Sequence, residues 1–465
     1  MQVKEKLGAS TNSYLKEYTD IEGKTHPIYF VNKNVLLSKN MLKEMVKYNY
    51  VEFCDKFDRP VDNLPSNIQY IKFGSYFNQS VDNLPKNLKE LHFGNDFNKK
   101  IDNLPKGLKV ISFGRYFNKT LNYKLPEGLE SIIFGDNFNK QIDYLPEGLI
   151  SLTFGTEFNQ PICHMLPDFN LEKGNNGLQN LTFGIKFNQS VDNLPSSLKS
   201  LDFAGIYVSG QFNQPVDNLP SKLQNLMFGR HFNQPVDKLP KGLKKLKFGH
   251  MFNQPVDNLP SELISLTFSN SFNHTIDNLP TELEDLTFGD CFNQPVDNLP
   301  ERLEKLTFGS SFNQPVDNLP ERLEKLTFGS SFNQPVDNLP TFGLKELVFD
   351  RDFNLPVNNL PSTLQELTFG YYFNQPINNL PHGLQNLTFG DWFNQPIDKL
   401  PIKLKNLKFK YHFNQPLPKV PSVDNLPALN PENGMIGLQT LTLSETYDKP
   451  LNHLPASVKI VRLKY

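Results

Sequence analysis

Cysteine, tryptophan, net charge and long apolar runs are all scarce in this chain of 465 residues. Its three cysteines, Cys54, Cys163 and Cys291, lie far apart and form no CxxC or Cys/His spacing, which excludes a disulfide framework and a thiolate zinc site. So few thiols in so long a chain suit a reducing compartment. A net charge of −2 without any basic run leaves no electrostatic footprint for nucleic acid or an anionic membrane. No apolar stretch is long enough to span a bilayer, and the opening MQVKEKLGASTNS lacks the apolar core of a secretion signal. The nine histidines are scattered outside any HExxH, and neither a glycine-rich phosphate loop nor GxSxG occurs. These absences point to a cytoplasmic, cofactor-free and non-enzymatic chain.

What is abundant is phenylalanine and proline, 39 and 36 residues, set in a repeat. The segment ERLEKLTFGSSFNQPVDNLP occurs twice without change across residues 301–340. Its Phe-Asn pair recurs, mostly at steps of 20 residues, from Phe77 to Phe413, with degenerate copies at Phe57 and Tyr447, making 19 units. Identical tandem copies imply a solenoid, in which each unit buries its apolar face only against its neighbours. Residues 48–465 are therefore one array, and residues 1–47 lie outside it.

One unit reads as follows. Leu306-Thr307-Phe308 alternates in-out-in, the period of a strand. Gly309 and its equivalents let the chain turn where the strand ends. Phe312 points back inward, and the return leg of residues 313–320 holds two prolines, so it is extended or polyproline-like, with Val316 and Leu319 inward. Crossover handedness makes the coil right-handed with parallel strands. Stacked at about 4.8 Å per strand, the coils make a curved monomer roughly 90 Å long.

The first twenty residues are polar and read as partly disordered. HPIYFVNKNVLL reads as extended, and Ser38 as the cap of a short helix with Met41, Leu42, Met45 and Val46 on one face. The segment 1–47 is expected to shield the first coil, or to be a small adaptor module. Three departures, at 163–177, 204–211 and 417–437, interrupt the rhythm and map to loops or to drift.

Two kinds of position carry the polar chemistry. The asparagine after each phenylalanine, as in Asn78, Asn98, Asn118, Asn293, Asn313, Asn333, Asn374 and Asn394, is expected to bond backbone groups of the next coil as a buried structural ladder. The aspartates Asp297, Asp317 and Asp337 suit Asx turns, and the repeating strand threonine an outward ladder, replaced by lysine at Lys247 and Lys408. The two residues between Gly and Phe are free to vary. They are Ser310-Ser311 in the tandem copies, but in three later coils they supply Tyr371, Tyr372, Trp392, Tyr411 and His412. Such an aromatic cluster is the candidate partner-binding site, because binding hot spots favour Trp and Tyr. The alternative is that one of each pair merely packs over the neighbouring coil.

The pattern LPxxLxxLxFGxxFNQPVDN resembles the FNIP repeat of social amoebae and giant viruses, and LPxxLxxLxF is similar to the short leucine-rich repeats of bacterial effectors. The resemblance implies a mainly β, right-handed, leucine-rich-repeat-like solenoid acting as a protein-interaction scaffold, in the host cytoplasm if viral. Many FNIP proteins carry an N-terminal F-box, which implies the alternative of a substrate receptor in a cullin-type ubiquitin ligase, with ligase components as partners. Residues 1–47 lack the Leu-Pro-x-Glu opening of that module. The expected partners are proteins, with neither nucleic acid nor membrane involved.

Overall fold

The computed structural model describes residues 13–19, 25–121, 125–162, 177–205, 209–397, 400–418, 437–452 and 454–464. It divides into two units, residues 1–234 with 238–243, and residues 235–237 with 244–465. Both are stacks of short parallel strands.

In the first unit β1 (Ser13–Thr19) pairs antiparallel with β2 (Thr25–Val31), and β2 runs parallel to β3 (Tyr50–Phe53). Thereafter strands of three residues follow, from β4 (Tyr70–Lys72) to β11 (Asn225–Met227). The second unit begins at β12 (Lys245–Lys247), continues through β20 (Asn406–Lys408), and ends with the five-residue β21 (Thr440–Ser444) and β22 (Lys459–Leu463). The registers set like on like: Leu286, Leu306 and Leu326 face one another, as do Thr287, Thr307 and Thr327.

The strand at residues 13–19 corrects the expectation of disorder there. Its side chains have inward partners. Tyr29 Oη donates to the buried Ser13 Oγ at 2.9 Å, and Lys16 Nζ lies 3.5 Å from the Phe30 ring centroid. Residues 1–12 lie outside the described residues. The helix α1 (Lys39–Met45) is capped by Ser38, whose Oγ accepts from Met41 N–H at 3.3 Å. It buries only Met41 and Met45, four residues apart; Val46 is its exposed C-cap.

Each regular coil buries the same six side chains, as in Leu303, Leu306, Phe308, Phe312, Val316 and Leu319. The phenylalanines form two columns. Within a coil Phe308 and Phe312 have ring centroids 3.7 Å apart, and each meets its counterpart in the next coil at 5.7 and 6.1 Å. Stacked rings with offset centroids add to the burial they contribute.

The glycine after the strand answers a constraint other than the turn. None of these glycines has positive φ; Gly177 and Gly205 do. Instead a Cβ at Gly114 would stand 1.9 Å from the carbonyl oxygen of Gly94 in the preceding coil, and at Gly309 2.1 Å from that of Gly289. The coils touch backbone to backbone at this point. Ser269 occupies the slot in one coil, buried, with its Oγ accepting from Phe272 N–H at 3.1 Å and donating to the Phe252 carbonyl.

Polar side chains form further columns. Asn293 Oδ1 accepts from Asn313 N–H and Asn313 Oδ1 from Asn333 N–H, both at 2.9 Å; Asn374 and Asn394 are joined in the same way. In the first unit the chain of contacts runs from Asn34 through Asp58, Asn78 and Asn98 to Asn118. Asn34 thus extends the column into the N-terminal segment. These asparagines are half-buried or exposed rather than buried, because the column runs along the outside of the turn. Gln314 and Gln334 reinforce it from the next position. The aspartates act between coils as well: Asp297 Oδ1 accepts from Asn318 Nδ2 at 3.3 Å, and Asp317 from Asn338 at 3.0 Å. Of the three departures, Cys163 with residues 163–176, residues 206–208 and residues 419–436 lie outside the described residues.

Two matched substitutions test these columns. Gly114→Ala forces a methyl into the Gly94 backbone and is expected to cost about 1–3 kcal/mol. Gly107→Ala, whose Cβ meets nothing closer than 3.9 Å, should be neutral or slightly stabilising. Comparable denaturation midpoints for the two would refute the close approach. Similarly, Asn313→Leu removes the acceptor for Asn333 N–H and should cost about 1 kcal/mol, tempered by exposure. Ser310→Ala, which loses only an exposed contact to Asp290, should leave the melting curve in place.

Candidate functional site

The aromatic cluster lies in the second unit, on the turns following β18 (Glu366–Thr368), β19 (Asn386–Thr388) and β20. Each turn places three residues between two buried phenylalanines, the last two being Tyr371-Tyr372 before Phe373, Asp391-Trp392 before Phe393 and Tyr411-His412 before Phe413. With both neighbours anchored in the core, the intervening pair is held outside it. The second residue of each pair donates its N–H to the first residue of the coil before: Tyr372 to Arg351, Trp392 to Tyr371 and His412 to Asp391, at 2.9, 3.0 and 2.9 Å. The pairs are therefore stacked at the pitch of the strands.

Two columns of side chains result. Tyr372, Trp392 and His412 form one, with ring centroids 6.2 and 4.8 Å apart and both pairs tilted by 44°. Tyr371 and Tyr411 belong to the other, alternating with Asp391. Each lies edge-on to its chain neighbour, Tyr371 to Tyr372 at 4.8 Å and 90°, and Tyr411 to His412 at 4.9 Å and 89°. Tyr371, Trp392 and Tyr411 remain 42, 47 and 43% exposed, whereas Tyr372 is half-buried beneath its neighbours. So packing over the next coil, the alternative that the sequence left open, describes the Tyr372 column in part, yet it leaves Trp392 and His412 exposed.

Charges flank the rings. Arg351 Nη2 donates to Tyr372 Oη at 3.5 Å, with the guanidinium carbon 5.6 Å from the ring centroid. The hydrogen bond to Tyr372, then its charge interaction, raise the Arg351 pKa above its ordinary value. Lys410 Nζ pairs with Asp391 at 3.4 Å. Asp352 stands exposed one coil before Tyr372 in the same column. Arg351, Lys410 and Asp352 escaped a reading along the chain. They emerge only when the variable pair is followed from coil to coil.

Beside the rings runs a groove of about 820 Å³, bounded by Ser310, Ser330, Asp350, Arg351, Tyr371 and Lys410. Grooves of about 600 and 420 Å³ occupy the equivalent place in the first unit. The trench between strand end and turn is thus a property of the coil, and what distinguishes the second unit is the aromatic rim.

Another constellation was missed. In the first unit His92 Nδ1 lies 2.8 Å from Ser112 Oγ, with His92 Nε2 3.5 Å from Glu90. It resembles a nucleophile, base and orienting carboxylate in line. The flanking amides of Phe93 and Phe113 are committed to the carbonyls of Ser112 and Ile133, so they do not offer an oxyanion hole. If the line is only a cross-strand polar contact, Ser112→Ala should leave p-nitrophenyl acetate hydrolysis unchanged, and a fall of tenfold or more would mark a catalytic serine.

Among described residues no group of His, Cys, Asp and Glu could hold a metal ion, and no helix is long and apolar enough to cross a membrane. No curated protein sequence matches the chain. Among solved structures, the giant-virus protein CroV588, described as a novel circular LRR protein, is 33% identical over 90% of this chain and 73% of its own, with a TM-score of 0.66. YopM from Yersinia enterocolitica (18% identity, 90% of this chain and 93% of YopM, TM-score 0.45) and a leucine-rich repeat protein from Bacteroides ovatus (14%, 100% and 99%, 0.17) are too distant to add to the argument. The model of the FNIP repeat matches eleven segments within residues 57–144 and 212–412, more than half of the chain. The fold is leucine-rich-repeat-like, and the chain belongs to the FNIP repeat family.

Proposed function

We propose that the chain is a non-enzymatic protein-interaction scaffold whose principal contact surface is the aromatic rim of the second unit. The observation that carries this reading is positional. The slots holding Tyr371, Tyr372, Trp392, Tyr411 and His412 are filled by Ser310, Ser311, Ser330 and Ser331 in the identical tandem coils, so the coil itself does not require rings there. Aromatic side chains with a polar tip supply large contact area at small conformational cost, and they dominate binding hot spots. A repeat also presents the same group at a fixed pitch, which suits an extended contact better than the convergence of unlike groups that catalysis needs.

The segment before the array serves as a terminal cap in this reading. Its β2 strand pairs with β3 and its Asn34 begins the asparagine column, so it is continuous with the stack. No observation favours a ubiquitin-ligase adaptor in the described part of that segment. A circular arrangement is stated for CroV588 and is not needed here.

The decisive variant converts Tyr372 and Trp392 together to serine, as in the tandem coils. Circular dichroism should be unchanged, and quantitative pull-down from native cytoplasm should lose the main partner, since each such residue contributes about 2 kcal/mol or more. A folded double variant that keeps every partner overturns the assignment and moves the contact to residues 204–211.

A further inference from the structure

The last strand of the second unit breaks the register that the coils before it keep. Leu387, Leu407 and Leu441 stand opposite one another on β19, β20 and β21. Spacing along the chain continues the row, since Val458-x-x-Val461-x-Leu463 repeats Leu438-x-x-Leu441-x-Leu443. That spacing predicts Val461 opposite Leu441 and Leu463 opposite Leu443. The structure instead shifts β22 by one residue, with Ile460 opposite Leu441 and Arg462 opposite Leu443. An arginine therefore enters the row that Phe389 and Phe409 occupy in earlier coils.

Its side chain closes the ring column. Tyr447, only 4% exposed, stacks on Phe413 with centroids 5.9 Å apart and planes 6° from parallel. β20 and β22 flank β21, so Phe413 approaches from one coil and Arg462 from the other. The Arg462 guanidinium carbon lies 5.8 Å from the Tyr447 centroid, close to the 6.0 Å between Phe393 and Phe413. Arg462 Nη1 also donates to the carbonyls of Ser444 and Tyr447, at 3.0 and 3.3 Å. A planar guanidinium can lie against a ring while its N–H groups bond at the edge. Arg462 thus replaces the next phenylalanine, yet it stays exposed to water.

The strand it sits on is an edge. Among the described residues β22 has one strand neighbour, β21. The apolar rows there are only partly covered: Leu451, Leu454 and Val458 are half-buried, and Ile460 is 42% exposed where Leu441 is fully buried. Such an edge is a template for pairing with another chain, and a charge set in the apolar row is one means of blunting it. Two β22 strands paired about a twofold axis would bury both guanidinium groups. They would also set Lys459, Arg462 and Lys464 against one another, with no acidic residue between residues 459 and 464 to offset them.

We propose that Arg462 is the stop of the array: held over Tyr447 by the one-residue shift, its charge keeps β22 from pairing with β22 of a second copy. This role is independent of the aromatic rim.

The test is sedimentation equilibrium of the full chain. The wild-type chain should remain a monomer up to about 100 μM. Arg462→Gln keeps an N–H donor for the two carbonyls but carries no charge, and it should reach dimer mass over that range. Arg462→Leu should do the same, whereas Arg462→Lys should stay monomeric. In the dimeric variants, hydrogen exchange should slow at Ile460 and at position 462, whose amides alternate with the Lys459 amide bonded to Gln439. Should Arg462→Leu fail to fold by circular dichroism, Arg462→Gln decides alone. A folded, monomeric Arg462→Gln overturns the proposal, as does a wild-type chain that already dimerises through this edge. Dimerisation of Arg462→Lys as readily as Arg462→Gln removes charge as the barrier and overturns it too. So does self-association that leaves exchange along β22 unchanged.

Discussion

The constraint on which the structure depends is the backbone ladder between successive coils. A coil of about twenty residues cannot bury six large apolar side chains by itself, so its stability comes from the coil on either side. The ladder fixes the distance at which this happens. In the strand, Lys305 N–H donates to Glu284 and Phe308 N–H to Thr327; at the turn, Ser311 N–H donates to Asp290. With strand and turn both hydrogen-bonded across the gap, little freedom remains between one coil and the next. The phenylalanine columns then meet at about the same separation coil after coil, and a residue type that fits once fits every time.

That shared pitch explains three sequence features that otherwise look independent. The glycine that most coils carry after the strand fits there because the carbonyl of the preceding coil stands where its Cβ would be. The asparagine after phenylalanine survives half-exposed, since its amide oxygen lies at hydrogen-bonding distance from the next coil's backbone N–H. Net gain from one such bond is small, about 1 kcal/mol, but an unmade one leaves a backbone donor without its partner. The aspartate and asparagine before Leu-Pro repeat the arrangement on the return leg. Each column satisfies polar groups while the apolar columns exclude water between them.

Much of this was legible in the sequence because a repeat states its periodicity openly. The strand triplets, the inward leucines and phenylalanines and the Ser38 cap can be assigned from residue type and spacing alone. Where reading failed, the cause was proximity across coils. The glycine was read as a turn residue, since nothing along the chain reveals a carbonyl two ångströms from its Cα substituent. The strand at residues 13–19 looked merely polar, because Lys16 and Ser13 find partners on Phe30 and Tyr29 only after the hairpin forms. His92 and Ser112 are twenty residues apart in sequence and adjacent in space for the same reason.

The aromatic rim illustrates how a solenoid acquires specificity without disturbing its fold. Positions whose side chains face the core are held to a few apolar residue types, since any change is felt by two interfaces at once. The pair between glycine and phenylalanine escapes that restriction, because only its backbone joins the ladder: Ser311, Tyr372 and Trp392 all donate the same N–H to the coil before. Side chains there can change from serine to tyrosine or tryptophan at little cost to the stack. Three such changes in consecutive coils are then automatically aligned, which is why Tyr372, Trp392 and His412 touch despite being twenty residues apart. A binding surface on this architecture thus inherits its spacing from the ladder and its chemistry from the free slots.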